Sequence, residues 1–189
     1  DRGRSNRFAL KFSTKIFCYD KNLRNFPIKY NSKKVIVKPI LKKEIYNLEK
    51  NIVNLKKEIK KILIIGGSQG ASFFDENITE LIIEISKKRN FEVIQQISNI
   101  NNLSSIKNKY DKSNINYKFI EFTNDSHELY NGIDLAITRG GASTLSELSF
   151  LNIPFISIPL PSARDNHQFY NSEFYLSLIH ISEPTRRPI

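Results

Sequence analysis

The stretch "ILIIGGSQGAS" at residues 62–72 is an apolar run that breaks into glycine, serine and glutamine. An uninterrupted apolar run that ends in glycine is typical of a strand buried on both faces of a parallel sheet. From Lys61 onward, runs of this kind alternate with helix-like stretches about five times. Because parallel strands need right-handed crossovers, this alternation predicts an α/β fold with a doubly wound parallel sheet.

The same alternation gives the remaining elements. Strands are expected in "FEVIQQI" (91–97), "INYKFIEF" (115–122), "IDLAIT" (133–138) and "IPFISIPL" (153–160). Helical segments are expected in "FFDENITELIIEISKKR" (73–89), "NNLSSIKNKY" (101–110), "DSHELYNG" (125–132), "GASTLSELSFLN" (141–152) and "NHQFYNSEFY" (166–175). Ligands of such sheets bind beyond the carboxyl ends of the strands. We therefore expect the chemistry in four loops, at residues 66–72, 122–126, 139–147 and 160–168.

The first 61 residues have a different texture. Residues 1–30 are expected to form a helix and then a strand around "KIFCY" (15–19), and "KVIVKPI" (34–40) a second strand that Pro39 ends. From Glu44 to Lys61, apolar residues recur at spacings of three and four, which predicts a helix with one apolar face. These residues are Ile45, Leu48, Ile52, Leu55 and Ile59. We interpret the segment as a linker helix that lies on the following domain, although a coiled-coil seam shows the same pattern.

The net positive charge of the chain raises the question whether it binds nucleic acid or an anionic membrane surface. Its 29 Lys and Arg against 19 Asp and Glu give a net charge of +10. The lysines are dispersed and accompany no nucleic-acid-binding motif, so we expect no nucleic-acid partner. A basic face toward an anionic membrane surface is the alternative. No apolar run approaches the ~18 residues that a membrane-spanning helix needs.

Composition also bears on cofactors and on completeness. Cys18 is the only cysteine, which excludes an internal disulfide, and with three scattered histidines it makes a metal site unexpected. We expect neither a metal nor another cofactor. The sequence contains no methionine, and we expect it to begin inside a longer protein.

The first glycine-rich loop follows the opening strand. Gly66, Gly67 and Gly70 allow a sharp turn and a close approach to a ligand, while Ser68 and the amides of the next helix can face an anion. The loop lacks the Lys-Ser or Lys-Thr of a Walker motif and the glycine spacing of a dinucleotide fingerprint. It is therefore either a phosphate-binding loop or a plain tight turn.

The loop at residues 139–147, within "TRGGASTLSE", also joins a buried strand to a helix. Arg139 places a cation beside Gly140 and Gly141, and residues 142–144 supply the first amides of the helix. The carboxylate of Glu147 could accept two hydrogen bonds from adjacent hydroxyls, such as those of ribose. In the alternative interpretation, Glu147 is a solvated surface acid and Ser143 and Thr144 cap the helix.

The last loop, at residues 160–168 within "PLPSARDNHQFYN", leads into a helix. The polar residues at the start of that helix are Asp165, Asn166, His167, Gln168 and Asn171. These short polar side chains are suited to binding sugar hydroxyls. His167 could act as a general base, but the sequence indicates no obvious carboxylate or nucleophile as its partner, and a capping or hydrogen-bonding role is at least as consistent.

The motifs "IGGSQGAS" (65–72), "RGGASTLSEL" (139–148) and "IPLPSARDNHQFYNSEF" (158–174), with Glu121 and Phe122 between them, carry a resemblance. Their order and spacing resemble the carboxy-terminal donor-binding domain of the MurG family of glycosyltransferases, glycosyltransferase family 28, over about residues 60–175. The resemblance implies a GT-B enzyme, in which two Rossmann-like domains enclose the active site. This chain would supply the carboxy-terminal half.

The resemblance also implies the donor site. Ser68 matches the serine of the diphosphate loop, Thr123 lies beside the uracil, Glu147 binds the ribose hydroxyls and Gln168 contacts the sugar. The residues implied in binding UDP-N-acetylglucosamine are Gly67, Ser68, Gln69, Gly70, Thr123, Arg139, Gly141, Ala142, Ser143, Thr144, Leu145, Ser146, Glu147, Asp165, Asn166, His167 and Gln168. No catalytic residue is assigned, because the family's acceptor domain is not represented.

The remaining segments are divided by the same resemblance. Residues 1–43 correspond to the end of the acceptor domain and an inter-domain strand, 44–61 to the linker helix and 62–175 to the donor-binding domain. Residues 176–189 do not match the family, and we expect them to be an artefactual tail. Within "VKPIL", Lys38 and Leu41 stand where the family has asparagine and arginine.

The function implied by the resemblance is inverting transfer of N-acetylglucosamine from UDP-N-acetylglucosamine to undecaprenyl-linked muramyl-pentapeptide, a step of peptidoglycan precursor synthesis. Such an enzyme would sit peripherally on the cytoplasmic face of the bacterial inner membrane. Two alternatives stay open. One is another UDP-sugar enzyme of the same fold, such as an epimerase or a glycolipid synthase, and the other is a non-catalytic nucleotide-sugar-binding subunit.

Overall fold

The computed structural model describes residues 4–21, 23, 26–48, 50, 58–66, 77–97, 100–113, 115–121, 126–160 and 166–180. The chain begins with helix α1 (Arg4–Phe12), followed by strand β1 (Ile16–Cys18). β1 pairs in parallel with strand β2 (Lys34–Ile36), and a short helix α2 (Lys43–Tyr46) comes next. The helix and the two short strands expected in this part of the sequence are confirmed.

The single cysteine lies at the end of β1. Cys18 is buried and forms no disulfide, and its thiol lies 3.5 Å from the carbonyl oxygen of Ile16. Burial raises the pKa of the Cys18 thiol, and the nearby charge of Lys34 only partly opposes that rise. The thiol therefore stays protonated at neutral pH, where only the thiolate is a good nucleophile.

The main sheet contains five strands: β3 (Lys61–Ile65), β4 (Glu92–Gln96), β5 (Asn116–Ile120), β6 (Leu135–Thr138) and β7 (Phe155–Ser157). All neighbouring strands are parallel, in the order β5-β4-β3-β6-β7. The helices are α3 (Thr79–Ser86), α4 (Ile100–Ser113), α5 (Ala142–Phe150) and α6 (His167–His180), and a 3₁₀ helix spans Ser126–Tyr130. The predicted doubly wound parallel sheet is confirmed.

The strand order reverses at the middle of the sheet. The chain runs outward from β3 through β4 to β5 and then returns to the other side of β3 with β6 and β7. Ile62 lies opposite Leu135, and Ile65 lies opposite Thr138. In doubly wound folds the crevice between two such strands, at their carboxyl ends, is where ligands bind.

Strand β3 is buried on both faces. Leu63 and Ile65 belong to one core cluster, while Ile62 and Ile64 belong to the other, as the alternation of side chains along a strand requires. Each fully buried aliphatic side chain contributes about 1.5–3 kcal/mol relative to exposure. This double burial explains why the sequence of β3 has no polar alternation.

The helix predicted over residues 44–61 does not extend over that whole range, of which residues 49 and 51–57 lie outside the described part of the chain. α2 ends at Tyr46, residues 58–60 lie outside any helix, and Lys61 already belongs to β3. Ile52 and Leu55 lie outside the described residues. The apolar positions that are described serve different purposes: Ile45 is fully buried in the same core cluster as Leu63 and Ile65, whereas Ile59 is exposed.

A carboxylate fixes the start of β3. Oδ2 of Asp134 accepts hydrogen bonds from the backbone N–H groups of Lys60 (2.9 Å) and Lys61 (3.0 Å). Asp134 directly precedes β6, so these bonds join the amino ends of the two central strands. The pattern of apolar residues in 44–61 does not reveal this interaction, because it involves a residue more than 70 positions away.

The amino end of α6 packs directly on the backbone that follows β6. A Cβ atom added at Gly140 would overlap the carbonyl oxygen of Gln168 and lie 2.6 Å from Oγ of Ser172. Nδ2 of Asn171 donates a hydrogen bond to the carbonyl oxygen of Gly140 (2.9 Å). Only glycine at position 140 therefore permits this contact.

We predict that Gly140→Ala lowers the free energy of unfolding by about 2–3 kcal/mol, because the added methyl group pushes α6 away from the sheet. The neighbouring Gly141→Ala is the matched control. A Cβ at Gly141 meets only Oγ1 of Thr144 at 4.0 Å. Gly141→Ala should therefore lower the free energy of unfolding by less than about 1 kcal/mol. Urea denaturation measures both, and equal losses would contradict the packing argument.

Candidate functional site

Each glycine-rich segment predicted from the sequence begins at the carboxyl end of a strand that borders the crevice between β3 and β6. Gly66 follows β3 directly, and Arg139, Gly140 and Gly141 follow β6. Since all five strands are parallel, the other predicted loops leave the sheet at the same edge. Several predicted site residues lie outside the described residues: Gly67, Ser68, Gln69, Gly70, Thr123 and Asp165.

The amino end of α5 is open. Gly141 is the residue before the helix, and it offers no side chain to accept a hydrogen bond from the first turn. Ala142 and Ser143 are exposed, and the first helical backbone bond runs from Leu145 N to Gly141 O (3.0 Å). The alternative in which Ser143 and Thr144 cap the helix is wrong, because both lie inside it. The amides of the first turn have no partner within the helix.

The next two residues of α5 point into the protein. Leu145 is fully buried in the core, and Ser146 is buried with its Oγ donating to the carbonyl oxygen of Ser143 (2.7 Å). The predicted donor-binding stretch from Ala142 to Glu147 is therefore divided. Its first residues face solvent, while the side chains of Leu145 and Ser146 support the helix.

Glu147 is buried, with 6% of its surface exposed. Its Oε2 accepts a hydrogen bond from the hydroxyl of Tyr130 at 2.7 Å. The alternative interpretation of Glu147 as a solvated surface acid is therefore wrong. Tyr130 was missed by the sequence reasoning. The available signal was an aromatic residue with a polar tip in "DSHELYNG", directly after the predicted 122–126 loop.

Arg139 lies where predicted but is buried, with 5% of its surface exposed. Burial lowers the pKa of its guanidinium, and its Nε has no hydrogen-bond partner. No carboxylate in the described part of the chain forms an ion pair with it. A buried cation without a counter-charge is unfavourable, so an anion beside Arg139 would be stabilised.

The start of α6 closes the site on the side of β7. Oε1 of Gln168 accepts a hydrogen bond from the backbone N–H of Leu160 (2.9 Å), which holds the segment after β7. Asn166 adopts a positive φ of 53°, and His167 is the exposed first residue of α6. The structure thus brings the start of α6 together with the loop after β6, as the sequence predicted.

Comparison with known proteins identifies the domain. Residues 61–175 match the family model described as the glycosyltransferase family 28 C-terminal domain. The chain belongs to this family. The predicted resemblance is confirmed.

Two curated relatives of this family 28 chain carry the name UDP-N-acetylglucosamine–N-acetylmuramyl-(pentapeptide) pyrophosphoryl-undecaprenol N-acetylglucosamine transferase. The protein from Pelagibacter ubique (strain HTCC1062) is 44% identical over 176 residues, which cover 93% of this chain and 49% of the relative. The protein from Rickettsia bellii (strain RML369-C) is 40% identical over 175 residues, covering 90% and 49%. The chain therefore spans about half the length of the curated relatives it matches.

A solved structure shows the same fold. The crystal structure of Acinetobacter baumannii MurG aligns with a TM-score of 0.67 and 23% sequence identity, covering 94% of this chain and 48% of that one. In the described residues of the family 28 chain, no helix is both long and apolar enough to span a bilayer. The same residues contain no group of three or more His, Cys, Asp or Glu side chains placed to hold a metal ion.

We predict that Arg139→Met leaves the stability of the unliganded family 28 domain unchanged or raises it by up to about 2 kcal/mol, since an uncompensated buried charge is removed. The same variant should bind inorganic pyrophosphate at least about tenfold more weakly, because it lacks the cation. Urea denaturation and calorimetry measure the two effects.

Lys118→Met is the control, because Lys118 is exposed on β5 and its replacement changes the net charge equally. A strong destabilisation by Arg139→Met would show that the guanidinium supports the fold. Equal weakening of pyrophosphate binding in both variants would show that only net charge matters.

Proposed function

We propose that this chain is the donor-binding half of an enzyme that transfers N-acetylglucosamine from UDP-N-acetylglucosamine to undecaprenyl-linked muramyl-pentapeptide. The name of the curated relatives supports the reaction. The observation that carries the proposal is the buried Glu147 carboxylate, located in the helix whose open amino end borders the crevice between β3 and β6. That arrangement offers an acceptor for sugar hydroxyls next to donors for an anion.

The nucleoside diphosphate fits this arrangement in two parts. Glu147 accepts hydrogen bonds from the two ribose hydroxyls, since an ionised carboxylate is an acceptor only and has about four lone-pair sites. The diphosphate lies against the first-turn amides of α5, at the positive end of the helix dipole, with Arg139 as counter-charge. The family resemblance assigns residues 67–70, including Ser68, to the diphosphate and Thr123 to the uracil; these residues lie outside the described part of the chain.

The sugar is bound from α6. Because Oε1 of Gln168 already accepts the N–H of Leu160, its amide nitrogen is the group that remains to donate to a sugar oxygen. Asp165, Asn166 and His167 precede Gln168 in the same segment and complete this part of the site. The intramolecular bond from Leu160 keeps the amide in one orientation.

The reaction follows from the position of the leaving group. A hydroxyl of the acceptor attacks the anomeric carbon in line, the bond from that carbon to the diphosphate oxygen breaks, and UDP leaves with its electron pair, inverting the configuration. Loop amides and Arg139 stabilise the charge that develops on the diphosphate, in place of a metal ion. The base that removes the acceptor proton is not assigned to this chain.

The amino-terminal part offers exposed apolar and basic side chains to a membrane surface. Phe8, Phe12 and Ile28 are exposed by 70%, 74% and 85%, and Lys29 and Lys33 lie over the ring of Tyr30 nearby in the chain. Apolar and basic side chains together favour peripheral binding to an anionic membrane surface. We place the enzyme on the cytoplasmic face of the bacterial inner membrane, where its lipid acceptor is made.

The ligand preference of the chain tests the donor site. Isothermal calorimetry should show binding of UDP and UDP-N-acetylglucosamine without added magnesium, because protein groups neutralise the diphosphate. ATP and NAD should bind at least about tenfold more weakly, since adenine does not have the hydrogen-bonding groups that uracil has along its edge. Tighter binding of either than of UDP would contradict the assignment.

The ribose contact is tested by Glu147→Ala. Loss of hydrogen bonds to a charged acceptor should weaken UDP binding by about 1.5–3 kcal/mol per bond, less what water restores. Glu147→Gln should recover part of this loss, because an amide offers one accepting oxygen instead of two. Calorimetry with UDP and 2′-deoxy-UDP measures both variants, and the preference of the wild type for UDP should largely disappear in Glu147→Ala.

Glu84→Ala provides the control, since Glu84 is an exposed glutamate of α3 paired with Lys87. It should bind both nucleotides like the wild type. Equal weakening of UDP and 2′-deoxy-UDP by Glu147→Ala would mean that Glu147 supports the helix without touching ribose.

A further inference from the structure

Tyr130 is the partner of the carboxylate on which the donor site depends. It is the last residue of the 3₁₀ helix Ser126–Tyr130, and only 3% of its surface is exposed. Its hydroxyl donates to Oε2 of Glu147 at 2.7 Å, between side chains that are both buried. No role in binding or catalysis was predicted for Tyr130 from the sequence.

The ring of Tyr130 is held by the core. It belongs to the same cluster of buried side chains as Ile133, Leu145, Leu148 and Ile153. Because interiors are close-packed, a ring in this position has little freedom to move. The hydroxyl is therefore held at a fixed point, and the carboxylate that accepts its hydrogen bond is fixed with it.

A fixed carboxylate matters for a ligand with two adjacent hydroxyls. A glutamate side chain has several rotatable bonds, and ordering it on binding would reduce affinity. The bond from Tyr130 uses one lone-pair site of Oε2 and leaves the other acceptor sites of the carboxylate for a ligand. The orientation needed for two hydrogen bonds is then set before the nucleotide arrives.

The bond also connects the 3₁₀ helix Ser126–Tyr130 with α5. Tyr130 lies in the helical turn that follows residues 122–125 in the sequence, and Glu147 lies in the helix that follows the loop after β6. The two residues are 17 positions apart. A single hydrogen bond therefore links α5 to the end of the 3₁₀ helix Ser126–Tyr130.

We propose that Tyr130 is a positioning residue that sets the preference of the donor site for a ribonucleotide, by holding the Glu147 carboxylate toward the ribose hydroxyls. This inference rests on the proposed function, in which Glu147 binds ribose. Tyr130 touches no ligand and acts through Glu147 alone. Its loss therefore reduces discrimination between ribose and deoxyribose while leaving the diphosphate contacts in place.

The test uses Tyr130→Phe, which keeps the buried ring and removes only the hydroxyl. In calorimetry on the whole chain, this variant should bind UDP about three- to tenfold more weakly, while its affinity for 2′-deoxy-UDP changes less. The ratio of the two dissociation constants should move toward one. A ratio equal to that of the wild type would show that Tyr130 is only structural and would overturn the inference.

Tyr110→Phe is the matched control. Tyr110 is also a fully buried tyrosine, and its hydroxyl donates to Oε1 of Gln95 in the other core cluster. Its replacement should lower stability comparably without changing the ratio of dissociation constants. If Tyr110→Phe shifts the ratio as much as Tyr130→Phe does, loss of stability explains the effect and the inference falls.

A double-mutant cycle separates the inference from the proposal beneath it. In a Glu147→Ala background, Tyr130→Phe should no longer alter the ratio, and a persisting effect would contradict action through Glu147. A wild-type chain without preference for UDP over 2′-deoxy-UDP would overturn the ribose role of Glu147, and the inference with it. A wild type with that preference, retained in Tyr130→Phe, would overturn the inference alone.

Discussion

Strand β3 is the element on which the rest of the structure depends, because it must be buried on both faces. Its neighbours β4 and β6 protect its two edges, and helices cover the sheet on both sides. Parallel pairing with both neighbours forces every crossover to return to the same end of the sheet. As a result, the carboxyl ends of β3 and β6, at Ile65 and Thr138, come together at one edge although they lie far apart in sequence.

The polar groups at this edge are held by contacts within the protein, before any ligand is present. Gly140 allows α6 to approach the backbone, Asn171 bonds that backbone, and Gln168 bonds the segment after β7. Tyr130 fixes Glu147 in the same way. Sites whose groups are already ordered lose little entropy on binding, which is a common source of affinity for charged ligands.

The sequence predicted the fold well because the central strands β3 and β6 are nearly continuous apolar runs, each followed by a segment with glycine. It failed at the ends of the helix predicted over residues 44–61, since α2 ends at Tyr46 and Lys61 already belongs to β3. A helical spacing of apolar residues is compatible with several local structures. It located Arg139 and Glu147 at the right end of the sheet but left open whether Glu147 is solvated, since burial depends on Tyr130 and on core packing. A hydrogen bond between residues 17 positions apart leaves no periodic signal.

The placement of Cys18 gives the chain a practical property. Its one thiol is buried and its pKa is raised, so maleimide or iodoacetamide reagents would find a nearly silent background. A cysteine introduced at an exposed position such as Ser143, on the first turn of α5, would then be the only reactive sulfur. A fluorophore or spin label attached there would report directly on occupancy of the crevice, without removal of the native cysteine.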